Sequence, residues 1–131
     1  MRKTGILNPV LNEAISRLGH KQFLAVCDAG TPLPKDAVVL DLSLVPGIPS
    51  IADVVHAICG EMFVESFFYA SESDGANPEF ISMLHSELPC VPFQKMTHEE
   101  FKKTLNDAAA VVRTGECTPY ANVALIAGVP F

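Results

Sequence analysis

The chain has 131 residues, 49% of them apolar and 18% charged, and a net charge of −6. That length sustains one hydrophobic core, so residues 1–131 are expected to form a single domain. Nine basic residues scattered along an acidic chain make no patch, which excludes nucleic acid and an anionic membrane surface as partners.

In chain order, Asn8-Pro9 followed by Leu11, Ala14, Ile15 and Leu18 combines an N-cap, a proline at the first helical position and an apolar stripe at helical spacing. Gly19 is expected to end this helix. His20 then lies just past a helix C-terminus, where the dipole favours an imidazolium; it is either a loop histidine capping the helix or a working one. Phe23 to Cys27 is an apolar run of strand length, and Asp28-Ala29-Gly30 follows it directly. Asp28 falls beyond a strand's carboxyl end, where open α/β sheets bind ligands, yet an aspartate two residues before glycine is also a common turn residue. His20 and Asp28 flank one short strand, so a subunit contact or a curled loop would be needed to bring both to one ligand.

Ala37 to Leu42 reads as the second strand, and Ser50 with Asp53 as a weak capping box for a helix faced by Ile51, Val54, Val55 and Ile58. His56 sits off that stripe, on a solvated face. Met62 to Ala70 is the third strand, with Glu65 on one side of it, and Ser71 to Ala76 a polar loop. Asn77-Pro78 opens another helix, with Phe80, Ile81, Leu84 and Leu88 inward and His85 at the border. Pro89 to Met96 contains the fourth strand, and Pro92 suggests an edge or a bulge. Thr97 and Glu100 form a capping box that makes His98 the first residue of a helix packed through Phe101 and Leu105.

Two apolar runs remain, Ala109 to Val112 and Val123 to Ala127, and between them lies Gly115-Glu116-Cys117-Thr118-Pro119-Tyr120-Ala121-Asn122. This stretch is too polar for core and is read as a loop at the edge of the sheet. Its phenol, carboxylate, hydroxyl and carboxamide suit the holding of hydroxyl groups better than covalent chemistry. The whole is an α/β pattern: a three-layer α/β/α sandwich around a six-stranded, largely parallel sheet.

Cofactor signatures are missing. No two of the eight glycines are two residues apart, and no pair of histidines has metal-ligand spacing, so neither nucleotide cofactor nor metal is expected. The four cysteines, about thirty residues apart, are expected to be free thiols in a reducing compartment. Asn8, Pro9 and Asn12 interrupt any export signal after Met1-Arg2-Lys3, so a cytoplasmic location is expected. A mean hydropathy of +0.29 is high for a domain of this size and predicts surface buried between subunits. What chemistry remains is acid/base work or plain binding.

Four motifs together, Ser16-Arg17-Leu18-Gly19-His20, Cys27-Asp28-Ala29-Gly30, Thr97-His98-Glu99 and Gly115 to Asn122, closed by Ala127-Gly128-Val129, resemble the RbsD/FucU sugar mutarotase family. The resemblance covers the chain from its first helix to its end. It implies cofactor-free interconversion of the pyranose and furanose forms of D-ribose. By position, it implies His20 as proton donor and Asp28, His98, Tyr120, Ala121 and Asn122 as substrate-binding residues. It also implies a ring-shaped homo-oligomer, a decamer in the ribose branch, with sites where subunits meet. The fucose branch typically carries histidine in place of Gly30 and lacks the Thr118-Pro119 pair, so the ribose branch is favoured. A non-catalytic sugar-binding protein, or a mutarotase for fucose or another aldose, is the alternative.

Overall fold

A computed structural model describes all residues, 1–131. Six strands form one sheet: β1 (Phe23–Cys27), β2 (Val39–Asp41), β3 (Val64–Ala70), β4 (Phe93–Met96), β5 (Ala110–Arg113) and β6 (Val123–Ala127), in spatial order β2-β5-β1-β6-β3-β4. Five strands run the same way, and only β6 opposes its neighbours β1 and β3. The sheet is therefore mixed, with its one reversed strand near the middle.

Alternation along the strands divides the core between two faces. Leu24, Val26, Val112, Leu125, Phe67 and Tyr69 point to the face covered by α1 (Pro9–Arg17), α2 (Ile51–Cys59) and α4 (Pro78–Glu87). Ala25, Cys27, Val111, Ala124 and Phe68 point to the other face, where Phe101 of α5 (His98–Thr104) and Leu105 just beyond it complete a smaller cluster. Helices on both faces make the three layers. Each fully buried Leu or Phe in these clusters contributes about 1.5–3 kcal/mol relative to exposure.

The helix starts follow from their caps. Asn8, Ser50, Asn77 and Thr97 each accept a backbone N–H from the first turn, and Thr97 with Glu100 completes the reciprocal box. At Ser50 the second half of the box is missing: the Asp53 carboxylate takes the Ser50 hydroxyl at 2.7 Å instead of a backbone N–H. Strand β4 is at the sheet's edge, as Pro92 suggested. Helix α1 stops just before Gly19, as expected, with Leu18 capping it in extended conformation and Lys21 as the left-handed residue of the following turn. One local expectation changes. Ser71 to Ala76 is not loop throughout, since Ser73–Ala76 forms a single helical turn, α3. Four residues carry no periodicity, so only tertiary contacts reveal that turn.

Topology also explains where the polar loop runs. Strands β5 and β6 flank β1 on opposite sides and run in opposite directions, so the chain joining them must cross the carboxyl end of β1. The loop lies over strand ends in the middle of the sheet rather than along a lateral edge.

Candidate active site

Residues 114–122 cross β1 where Asp28 emerges, and the two segments interlock. Asn122 is fully buried; its Oδ1 accepts the Asp28 N–H at 3.0 Å and its Nδ2 donates to Asp28 Oδ2 at 2.9 Å. The Thr31 hydroxyl lies 2.7 Å from Asn122 Oδ1 and 3.0 Å from Asp28 Oδ1, and Gly30 N–H donates to Asp28 Oδ1 at 2.9 Å. Asp28 is thus both the turn residue and a carboxylate held at the strand end. The Ala29 N–H donates to Glu116 O at 2.8 Å, and Arg113 Nε to Ala29 O at 3.1 Å, which fixes the turn from the other side.

Strands β3 and β4 end on the same side of the sheet as β1, because they run parallel to it. Their continuations bring Glu72, Ser73 and His98 to the loop. The His98 N–H donates to both oxygens of Glu72, at 2.9 and 3.0 Å. That bond is the main reason the Glu72 carboxyl is held below the ordinary glutamate value. Ser73 Oγ donates to Tyr120 O at 2.9 Å, and Asn77 Nδ2 reaches Thr118 Oγ1 at 2.8 Å and Pro119 O at 3.0 Å. These bonds hold Tyr120 in the left-handed region at φ 53°. Its ring meets His98 edge to face, with centroids 5.1 Å apart. Such a conformation for a bulky residue costs energy and persists only where surrounding contacts impose it.

Asp28, Thr31, His98, Lys102 and Tyr120 line an open groove of about 340 Å³. The His98 Nδ1 is buried without a hydrogen-bond partner, an uncommon condition for a buried polar atom. Two expected binding groups have other engagements. The Glu116 carboxylate accepts Ile51 N–H at 3.2 Å and the Thr118 hydroxyl at 3.0 Å, capping α2 and its own turn. The Asn122 carboxamide braces Asp28 from within the core, and Ala121 is also fully buried.

His20 is elsewhere. Lys21 N–H donates to Ala127 O and Ala127 N–H to Gln22 O, both at 2.8 Å, so the turn carrying His20 is tied to the end of β6, whereas Asp28 is tied to its beginning. The two residues stand at opposite ends of β1. In place of the cluster, the His20 Nε2 meets Glu65 Oε2 at 2.8 Å. The structure therefore gathers Asp28, His98, Tyr120, Ala121 and Asn122 at one sheet end and leaves His20 at the other.

Sequence reading missed Thr31, Glu72, Ser73 and Asn77 as supports of this cluster. Asn77 had a signal as an N-cap, and Thr31 a local one three residues after Asp28; Glu72 and Ser73 act across 26 and 47 residues of chain, and no local pattern marks that.

Comparison with known proteins gives a consistent result. The RbsD / FucU transport protein family matches residues 1–130. A D-ribose pyranase of Bacillus velezensis is 46% identical over 131 residues, with 100% of both chains covered. The structure of Bacillus subtilis RbsD complexed with D-ribose superposes with a TM-score of 0.96 at 42% identity, covering 100% of each chain. The fucose mutarotase of Streptococcus pneumoniae in complex with L-fucose has a TM-score of 0.79 at 21% identity over 95% of each chain, a likeness of fold alone.

Proposed function

The chain belongs to the RbsD / FucU family, and we infer that it interconverts the pyranose and furanose forms of D-ribose without a cofactor. The observation that carries this reading is 42% identity along its whole length to a protein whose structure holds D-ribose. Fucose is disfavoured, because the fucose mutarotase shares half that identity.

Changing ring size breaks the bond between C1 and the ring oxygen. A base takes the anomeric hydroxyl proton as C1 becomes an aldehyde, and an acid protonates the departing ring oxygen. Attack of a different hydroxyl on C1 then closes the other ring, and the two protons return. Each positioned proton-transfer group contributes on the order of 10²–10⁴-fold. His20 is the proton donor in this scheme. Asp28 accepts a sugar hydroxyl, His98 binds through its ring, and Tyr120 offers its ring and phenol, since its carbonyl already accepts from Ser73 and from the Asn122 N–H. Ala121 and Asn122, both fully buried, shape the site from beneath, with the Asn122 side chain keeping Asp28 in place.

Because one chain separates His20 from the cluster, a working site takes His20 from one protomer and the cluster from its neighbour. Apolar side chains left in solvent, Leu44 at 77%, Val38 at 58% and Ile48 at 55% exposed, support burial against further copies. A closed ring, of ten subunits by the ribose-branch resemblance, meets this need, and we read the location as cytoplasmic. No helix is long and apolar enough to cross a membrane.

Saturation-transfer NMR on ribose tests the reading. The wild type is expected to accelerate exchange between ring forms and His20→Ala to lose that acceleration. Ribose binding without faster exchange would make the protein a sugar-binding module, and an unchanged rate in His20→Ala would remove His20 from the mechanism.

A further inference from the structure

Glu65 has a placement that packing does not require. It belongs to β3 at the point where pairing with β6 goes from Val64↔Ala127 to Ser66↔Ile126, so Glu65 is the extra residue of a bulge. Bulges turn a side chain away from its regular face. Beside it Gly128 leaves the room: a Cβ there would lie 2.7 Å from the Phe63 ring and 2.8 Å from the Glu65 Cβ. The carboxylate caps no helix and meets no lysine or arginine; its one hydrogen-bond partner is His20 Nε2 at 2.8 Å. On the other side, Gly19 N–H bonds Gln22 Oε1 at 2.7 Å and Lys21 N–H bonds Ala127 O at 2.8 Å, which sets the histidine turn over the bulge. Bulge, glycine and turn converge on one hydrogen bond.

On the reading that His20 is the proton donor, we propose that Glu65 is its positioning residue. The carboxylate holds the Nε2–H, so Nδ1 is the atom that exchanges protons with the sugar. The imidazolium gives its Nδ1 proton to the ring oxygen as the C1–oxygen bond breaks, and the neutral ring keeps its Nε2 proton on Glu65. When the new ring closes, Nδ1 takes a proton back. A neutral imidazole chooses its tautomer by the partner of its other nitrogen, and here that partner is a carboxylate.

Ring ¹⁵N–¹H NMR of the ligand-free protein reads the tautomer directly. His56 serves as internal reference, since it pairs with Glu87 through the other nitrogen, Nδ1, at 3.0 Å. In wild type at a pH where the ring is neutral, His20 is expected to carry its proton on Nε2, and in Glu65→Ala to become a mixture of tautomers while His56 is unchanged. Exchange at saturating ribose should fall on the order of 10- to 100-fold, as when other partners that orient a working imidazole are removed, with half-saturation within about twofold. Glu65→Asp should recover part of the loss. Should Glu65→Ala fail to fold, Glu65→Gln keeps the volume without the charge and should still slow exchange with half-saturation preserved. A folded Glu65 variant with wild-type turnover, or a His20 ring that keeps one tautomer in Glu65→Ala, overturns the proposal. If the wild type does not speed ribose exchange at all, the functional reading fails, and the tautomer measurement still decides whether Glu65 sets the state of His20.

Discussion

The two ends of the sheet are built differently. Where β1, β3, β4 and β5 finish, four separate segments lock together through side-chain bonds: Asn122 to Asp28, Thr31 to Asn122, Ser73 to Tyr120 and Glu72 to His98. At the opposite end, the His20 side chain is half exposed and has a single partner, Glu65. The first end is shaped within one chain. The second presents an oriented group to solvent, where the proposed function needs a neighbouring chain. On that proposal, a lone protomer holds a binding surface and a proton donor that cannot reach the same sugar.

Mixing experiments break or sharpen this contrast most strongly. His20→Ala and Asp28→Ala proteins should each be inactive, yet after being unfolded and refolded together they should regain about a quarter of the wild-type rate, because random assembly joins an intact cluster to an intact donor at that frequency. No recovery would mean that both residues act within one chain, contrary to the separation seen along β1.

A smaller effect is expected on stability, and it should differ between the ends. Asn122→Ala leaves the Asp28 N–H without its buried acceptor and should lower the unfolding free energy by about 1–3 kcal/mol, read as a lower denaturant midpoint. Glu65→Ala removes a half-exposed pair and should cost less than about 1 kcal/mol. Equal losses would contradict the asymmetry.

The smallest effect concerns pH. Glu72 has its carboxyl lowered chiefly by the His98 N–H. A lowered carboxyl contributes stability above its unfolded value and loses that contribution as pH falls through the folded value. The His98 amide proton resonance should therefore titrate below the ordinary glutamate range, and that titration should vanish in Glu72→Ala. A midpoint at or above the ordinary value would mean that Glu72 does not hold the start of α5.

Much of the fold was legible because its signals are local. Proline after an asparagine cap, Thr97 with Glu100 and apolar runs of strand length each depend on residues a few positions apart. The cluster was legible only in part. Asp28, His98 and Tyr120 came from motifs, whereas Glu72 and Ser73 lie in a stretch with no periodic pattern and gain their meaning from loops folded against them. Glu116 and the Asn122 side chain, expected to hold a ligand, are bonded within the chain for a related reason. Residue type shows what a side chain is able to bond, and packing decides what it does bond.

By itself, the sequence determined the four capped helices, the six apolar segments and the residue types available for proton transfer, since hydrogen-bonding capacity and periodicity are written along the chain. Only the tertiary structure decided that β6 would insert in reverse beside β1, because strand order depends on which crossings the packed layers permit. That one insertion sends the polar loop across Asp28 and puts His20 at the far end. Under the proposed function the composite site then follows from geometry, as one strand's length separates two groups that a single pentose would have to touch.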